Sequence, residues 1–212
     1  MAADRNKCNT PLPIRLWHWL HILGVLTLIL SGAQIRFAEY VHLFPSFRTA
    51  IKVHNEAGLL VTVSFFLWFF YYTTLTSKLG STYLLHKGEV RHGLRQQMAH
   101  YFVHFFRGRP DPHQATPQSR FNPLEKTLYM LVMLILFPLQ MITGMALKSL
   151  YPPWKVIDLF GSIKFLMGLH FLGGCLLCAF LLTHVYLTTL NSTAWPWLRV
   201  MFKGRAAIEK QS

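Results

Sequence analysis

Four stretches of the chain run without a charged side chain: Leu16 to Ile35, Ala57 to Ser77, Thr127 to Leu147 and Phe165 to Leu198. A bilayer core about 30 Å thick takes about 20 residues of α-helix, so each stretch is long enough to cross it. The first three are single spans. The fourth is longer than one span needs, and the small polar run Asn191-Ser192-Thr193 ahead of Pro196 ends its helix near Leu190. The pattern predicts an all-α fold, a four-helix transmembrane bundle with spans at about 16–35, 53–77, 124–147 and 166–190, forming a single membrane domain over residues 1–212. The first apolar run is too long for a signal peptide and no Ala-x-Ala pattern follows it, so it is expected to stay in the mature protein.

The longest connection, Lys78 to Pro123, has room for further structure. Within it, Glu89 to Arg107 interleaves Arg91, Arg95, Gln96 and Gln97 with Leu94, Met98, Phe102 and Phe105, and holds no proline. That mixture predicts an amphipathic helix lying in the cytoplasmic interface between the second and third spans. His100 and His104 sit one turn apart on it, but no third metal ligand is evident, and interfacial polar contact is the simpler reading. Gly108, Pro110, Pro112 and Pro117 then break regular structure ahead of the third span.

Composition and charge fit this picture. With 52% apolar and 14% charged residues, the chain is a poor soluble domain, and its solvent is lipid. The formal charge of +13 is spread over segments flanking hydrophobic spans, which excludes a nucleic-acid module and points to anionic headgroups. Arg5, Lys7 and Arg15, the run from Lys78 to Arg120, and Arg199, Lys203, Arg205 and Lys210 fall on one face; Arg36, Arg48, Lys52, Lys148, Lys155 and Lys164 fall on the other. The richer face is cytoplasmic by the positive-inside bias, which places both termini in the cytoplasm. Trp17, Trp19, Trp195 and Trp197 read as an inner aromatic belt and Trp154 as part of an outer one. Cys175 and Cys178 lack the following histidine of covalent haem attachment and read as packing residues.

The chemistry lies in the histidines. His170 and His184 share the fourth span, and their spacing amounts to about 21 Å of rise and nearly four turns, so both leave from one face at two depths. His18 opens the first span at the inner surface and His54 the second at the outer surface. Depth therefore pairs His18 with His184 and His54 with His170. A six-coordinate haem iron needs two axial ligands from opposite sides, and imidazoles from facing helices supply them. Two pairs make two b-type haems across the membrane. A lone histidine at a helix end is more often a core or interfacial side chain; it is the matching of two pairs that carries the case. His21, nearly one turn beyond His18, stays open as the alternative inner ligand. Gly24, Gly32, Gly58, Gly173 and Gly174 suit either close approach of a flat macrocycle or plain helix packing.

Taken together, Arg15-Leu16-Trp17-His18-Trp19, Leu30-Ser31-Gly32, His54 with Gly58, Asn122-Pro123-Leu124-Glu125-Lys126, Thr143-Gly144 and the His170 to His184 spacing resemble the di-haem cytochrome b subunits of formate dehydrogenases, nickel-iron hydrogenases and thiosulfate reductases. Gly93-Leu94-Arg95-Gln96-Gln97 and Phe121-Asn122-Pro123-Leu124 look most like the thiosulfate-reductase branch. The resemblance spans Arg15 to about Leu190. It implies bis-histidine ligation by His18, His54, His170 and His184, and quinone chemistry on the cytoplasmic side. It also implies an outer-face partner carrying iron-sulfur clusters or c-type haems, with a molybdenum or nickel-iron catalytic subunit beyond it, in a bacterial cytoplasmic membrane. Arg15 inside and Arg36 or Lys52 outside are the candidate partners of the haem propionates. Asn122 and Lys126 are the candidate quinone contacts, one turn apart on one helix face, the resemblance implying the contact at Asn122. Asn122 ahead of Pro123 reads equally well as the cap of the third helix.

Two other classes compete: a haem-free transporter or proton channel with histidine relays, and a plain membrane anchor. No inverted repeat supports the first, and an anchor has no need of four depth-matched histidines.

Overall fold

The computed structural model describes residues 7–85, 88–109, 112–113, 121–148, 160–190 and 200–207. Among them, four helices are long and apolar enough to cross a membrane: α1 (Leu12–Arg36), α2 (Phe47–Leu75), α3 (Pro123–Leu147) and α4 (Ile163–Leu190).

Local chemistry sets their ends. The α1 helix begins beside Pro11 with Pro13 in its first turn, where a missing N–H costs nothing, and Arg36 closes it against the negative end of the helix dipole. Ser46 caps α2, its hydroxyl accepting from the Thr49 N–H at 3.0 Å. Asn122 opens α3 with a full capping box: its side chain accepts from the Glu125 N–H at 2.8 Å, and Glu125 accepts from the Asn122 N–H at 3.0 Å. Within α3, a π turn at Val132–Leu136 runs up to Pro138, which has no N–H to donate and whose ring crowds the carbonyl four residues back, so the ladder widens there. Ser162 accepts from the Phe165 N–H at 3.1 Å at the start of α4.

The helices α1, α2 and α4 start several residues before the spans the sequence predicts. A charge-free run marks the apolar core of the bilayer, whereas the helix continues outward through the headgroup layer and carries Arg15, Arg48 and Lys52 on its ends. α4 is helical up to Leu190, where the described residues stop. The break expected at Asn191 to Pro196 lies outside the described residues, as do Trp154, Trp195 and Trp197.

The closest packing is between consecutive spans, α1 with α2 and α3 with α4, and the two pairs meet more lightly across the bundle. Val25, Val61, Phe65, Trp68, Val132, Phe137 and Leu177 form the shared core. Leu23, Phe66, Ile135, Leu172 and Leu182 point outward, where only lipid can cover them. Small residues let the helices close: a Cβ on Gly24 would lie 2.5 Å from Val61 Cγ2.

The expected interfacial helix is present. It runs through a π turn (Glu89–Gly93), an α segment (Leu94–Ala99), a second π turn (His100–His104) and a closing 3-10 turn (Phe105–Arg107). Gly93 lets it sit on the start of α3, since a Cβ there would lie 2.8 Å from Pro123 Cγ. At the same end of the bundle the tails pair as a short antiparallel ladder, Lys7–Asn9 with Arg205–Ala207, too short for its period to show in the sequence.

The packing at Gly24 is testable in detergent. Gly24→Ala is expected to cost about 1–3 kcal/mol, because Val61 is a stiff β-branched neighbour with nowhere to move. Gly168→Ala, whose Cβ meets nothing within 4 Å, is expected to be neutral or slightly stabilising. Equal melting temperatures for the two variants would contradict this packing.

Candidate functional site

His54 on α2 and His170 on α4 come together, their ring centroids 6.2 Å apart. Two imidazoles bound to opposite sides of one metal ion, with bonds of about 2 Å and ring centres about 1.1 Å behind each nitrogen, have centroids roughly 6 Å apart. The observed separation suits a shared ion.

The rings are held by their other nitrogens. Ser31 Oγ lies 2.9 Å from His54 Nδ1, and Thr143 Oγ1 lies 2.9 Å from His170 Nδ1. Each hydroxyl has one proton, and each already donates it to its own helix: Ser31 to the Thr27 carbonyl at 2.6 Å, Thr143 to the Leu139 carbonyl at 2.8 Å. With its proton on that carbonyl, each hydroxyl is free to accept from Nδ1–H, the tautomer that leaves the lone pair on Nε2. Glycine forms the wall beside each ring: a Cβ on Gly32 would lie 3.3 Å from His54 Cε1, and one on Gly144 3.2 Å from His170 Cε1.

At the other end, His18 on α1 lies within electrostatic reach of His184 on α4. Tyr129 Oη lies 3.2 Å from His184 Nδ1, and the Phe180 ring stacks on His184 at 5.8 Å. His18 Nδ1 is buried with no hydrogen-bond partner. His21, the alternative, turns into the α1–α2 interface, where its Nδ1 lies 3.1 Å from Ser64 Oγ and its ring sits against Trp17 and Phe137. Trp17 is not a belt anchor as expected: its indole N–H donates to the Ser64 carbonyl at 2.8 Å and its ring stacks on Trp68 at 6.0 Å. The interior gives the indole an acceptor, so the ring has no need of the headgroup layer. Trp19 keeps to the rim, its N–H donating to the Met201 carbonyl at 3.3 Å.

The basic candidates flank these ends. Arg15 donates from Nη1 to the Phe202 carbonyl at 2.7 Å, and its Nε is buried without a partner. Arg36 lies over the Phe37 and Phe171 rings, at 5.4 and 5.3 Å, next to His170. Lys52 is exposed on the first turns of α2. Beside the inner pair, Asn122 and Lys126 are both buried. Asn122 is the helix cap, and its Nδ2 donates to Tyr101 Oη at 3.3 Å. Lys126 Nζ pairs with Glu89 Oε1 at 2.7 Å, tying the interfacial helix to α3. Tyr83, on the short helix Leu79–Tyr83, is pushed well above its ordinary range by burial and by the neighbouring Tyr72, so its phenol stays protonated.

The residues present fit a haem. Two imidazole rings lie 6.2 Å apart, each with a hydroxyl beside Nδ1 and a glycine beside the ring. Sequence reasoning missed the roles of Ser31, Thr143 and Tyr129. The available signal was a hydroxyl followed by glycine in two separate spans, Ser31-Gly32 and Thr143-Gly144.

Known proteins agree with this reading. A family model described as prokaryotic cytochrome b561 matches residues 9–204. The Putative cytochrome YdhU of Escherichia coli (strain K12) is 30% identical over 193 residues, covering 90% of this chain and 71% of that protein.

The capping role of Asn122 carries its own prediction. Asn122→Ala, which removes the oxygen accepting from Glu125, is expected to cost about 1 kcal/mol in thermal stability, and Asn122→Asp, which keeps that oxygen, much less. Equal losses in the two variants would mean that the cap does not hold α3.

Proposed function

The chain belongs to the prokaryotic cytochrome b561 family, and on that premise we propose that this membrane b-type cytochrome is the di-haem subunit of a respiratory oxidoreductase complex. It passes electrons between the quinone pool at its cytoplasmic end and a partner redox subunit on the outer face.

One observation carries the reading: the His54 and His170 rings lie 6.2 Å apart with a hydroxyl 2.9 Å from each Nδ1, and His184, on the same helix as His170, lies within electrostatic reach of His18. A haem b bound between two imidazoles supplies one-electron transfer between ferric and ferrous iron with no open coordination position. The chain's part is to hold and orient. His54 and His170 supply the outer pair, His18 and His184 the inner pair, and about 21 Å of α4 separates the two levels. Arg15 has a spare buried donor at Nε for an inner propionate, and Arg36, fixed over Phe171, serves an outer one together with Lys52.

The quinone is placed between the inner pair and the start of α3. Asn122 spends its amide oxygen on the cap and one amide proton on Tyr101, which leaves a second N–H for a quinone carbonyl. Lys126, buried, and the partly exposed Glu89 form an ion pair beside it, where a proton is held close to the interface. The excess of basic residues at this end supports its cytoplasmic placement. The outer partner follows from the need for a second electron carrier within reach of the outer pair, of the iron-sulfur or c-type haem class.

Ligation is tested by counting haem. His170→Ala is expected to remove the outer haem alone and His184→Ala the inner alone, read as haem b per purified chain. Two haems retained in either variant would overturn the ligand assignment.

The quinone contact is tested with a variant that keeps the cap. Asn122→Asp replaces the amide N–H by a carboxylate oxygen, and it is expected to lower quinone-linked turnover at least tenfold with both haems bound, a loss of about 1.4 kcal/mol of transition-state stabilisation. Turnover at the wild-type level would make Asn122 a helix cap only.

A further inference from the structure

Ser31 and Thr143 are both 0% exposed. Hydroxyls on membrane helices commonly satisfy themselves on the carbonyl four residues back. Thr27, Thr62, Thr73 and Thr127 do so here, and none of them meets an imidazole. Ser31 and Thr143 make the same back bond and also meet a histidine Nδ1, at 2.9 Å in both cases. They lie on different helical pairs, α1 with α2 and α3 with α4, yet they serve the two members of one histidine pair. In each case the next residue is the glycine that leaves room for that ring. The inner pair is built differently: His18 Nδ1 is buried with no partner, and His184 Nδ1 faces a phenol.

We propose that Ser31 and Thr143 are positioning residues for the outer haem, each accepting the Nδ1 proton of its histidine and thereby fixing the tautomer and ring plane and lowering the outer haem's reduction potential. This rests on the ligand assignment for His54 and His170 given above. A hydrogen bond drawn from Nδ1–H leaves more electron density at Nε2, and a stronger nitrogen donor favours ferric over ferrous iron. The relay ends on the Thr27 and Leu139 carbonyls, which hold each hydroxyl in its accepting orientation. Both hydroxyls lie in the water-free interior, where no solvent molecule is available to replace them.

The test uses the purified full chain with haem bound. Thr143→Val keeps shape and removes the hydroxyl; Ser31→Ala does the same with a smaller change; Thr143→Ser and Ser31→Thr keep the hydroxyl. Redox titration of the haem absorption bands is expected to raise the outer midpoint in Thr143→Val and in Ser31→Ala. The expected size is about a tenfold shift of the ferric/ferrous equilibrium, or about 59 mV for a one-electron couple. The inner midpoint stays in place, and the hydroxyl-keeping variants stay near wild type. The low-field electron paramagnetic resonance signal of the outer haem moves with the potential, which simple helix satisfaction would not cause. Loss of the outer haem in Thr143→Val, with retention in Thr143→Ser, also supports the proposal, since the valine leaves no cavity. Wild-type midpoints in Thr143→Val and Ser31→Ala, with both haems bound, would overturn it and leave the two hydroxyls as helix satisfaction only. A wild-type chain that binds no haem would instead overturn the functional assignment.

Discussion

Inside a bilayer core no water is available to hydrogen-bond an imidazole, so each histidine carried into a span must find its partner in the protein or in a ligand. This chain puts five histidines into its spans, at positions 18, 21, 54, 170 and 184. His54 and His170 solve the problem by half: Nδ1 of each meets a buried hydroxyl, and the two rings lie 6.2 Å apart. A haem bound between the two rings would take up the second nitrogen of each.

The helical pairing serves the same end. With α1 closed on α2 and α3 on α4, each pair brings a hydroxyl–glycine step against a histidine of the neighbouring helix, and the two pairs meet more lightly. Elsewhere the bundle is tightened by ordinary means: the Val61 and Phe65 core, the Lys126–Glu89 ion pair that fastens the interfacial helix to α3, and the ladder joining the two tails beside Arg15. The inner end thus gathers both tails, the interfacial helix and the start of α3 around His18 and His184. At the opposite end Arg36 is stacked over Phe171.

Much of this was legible in the sequence because the bilayer imposes it. Charge-free runs marked the four spans, and the spacing from His170 to His184 put two histidines on one helix face. The helix ends were less legible, since helices continue past the apolar core: α2 begins at Phe47, well ahead of its charge-free stretch. The role of Ser31 and Thr143 was hidden because a hydroxyl in a membrane helix reads as a back bond to its own turn, and only the fold shows which of them also meets a histidine. Trp17 was misread as a belt residue because indoles at span ends usually face headgroups, whereas here Ser64 offers its carbonyl from the neighbouring helix. Asn122 read as either cap or quinone contact, and the capping box establishes the first while leaving an amide proton for the second.

The central claim is that two histidine pairs hold two haems in one chain. The most direct measurement is the ratio of haem b to protein in the purified wild-type chain, taken with the low-temperature electron paramagnetic resonance spectrum of its oxidised form. The account predicts two haems per chain, both low-spin with two imidazole ligands. A ratio of one, or a high-spin iron with an open coordination position, would contradict it.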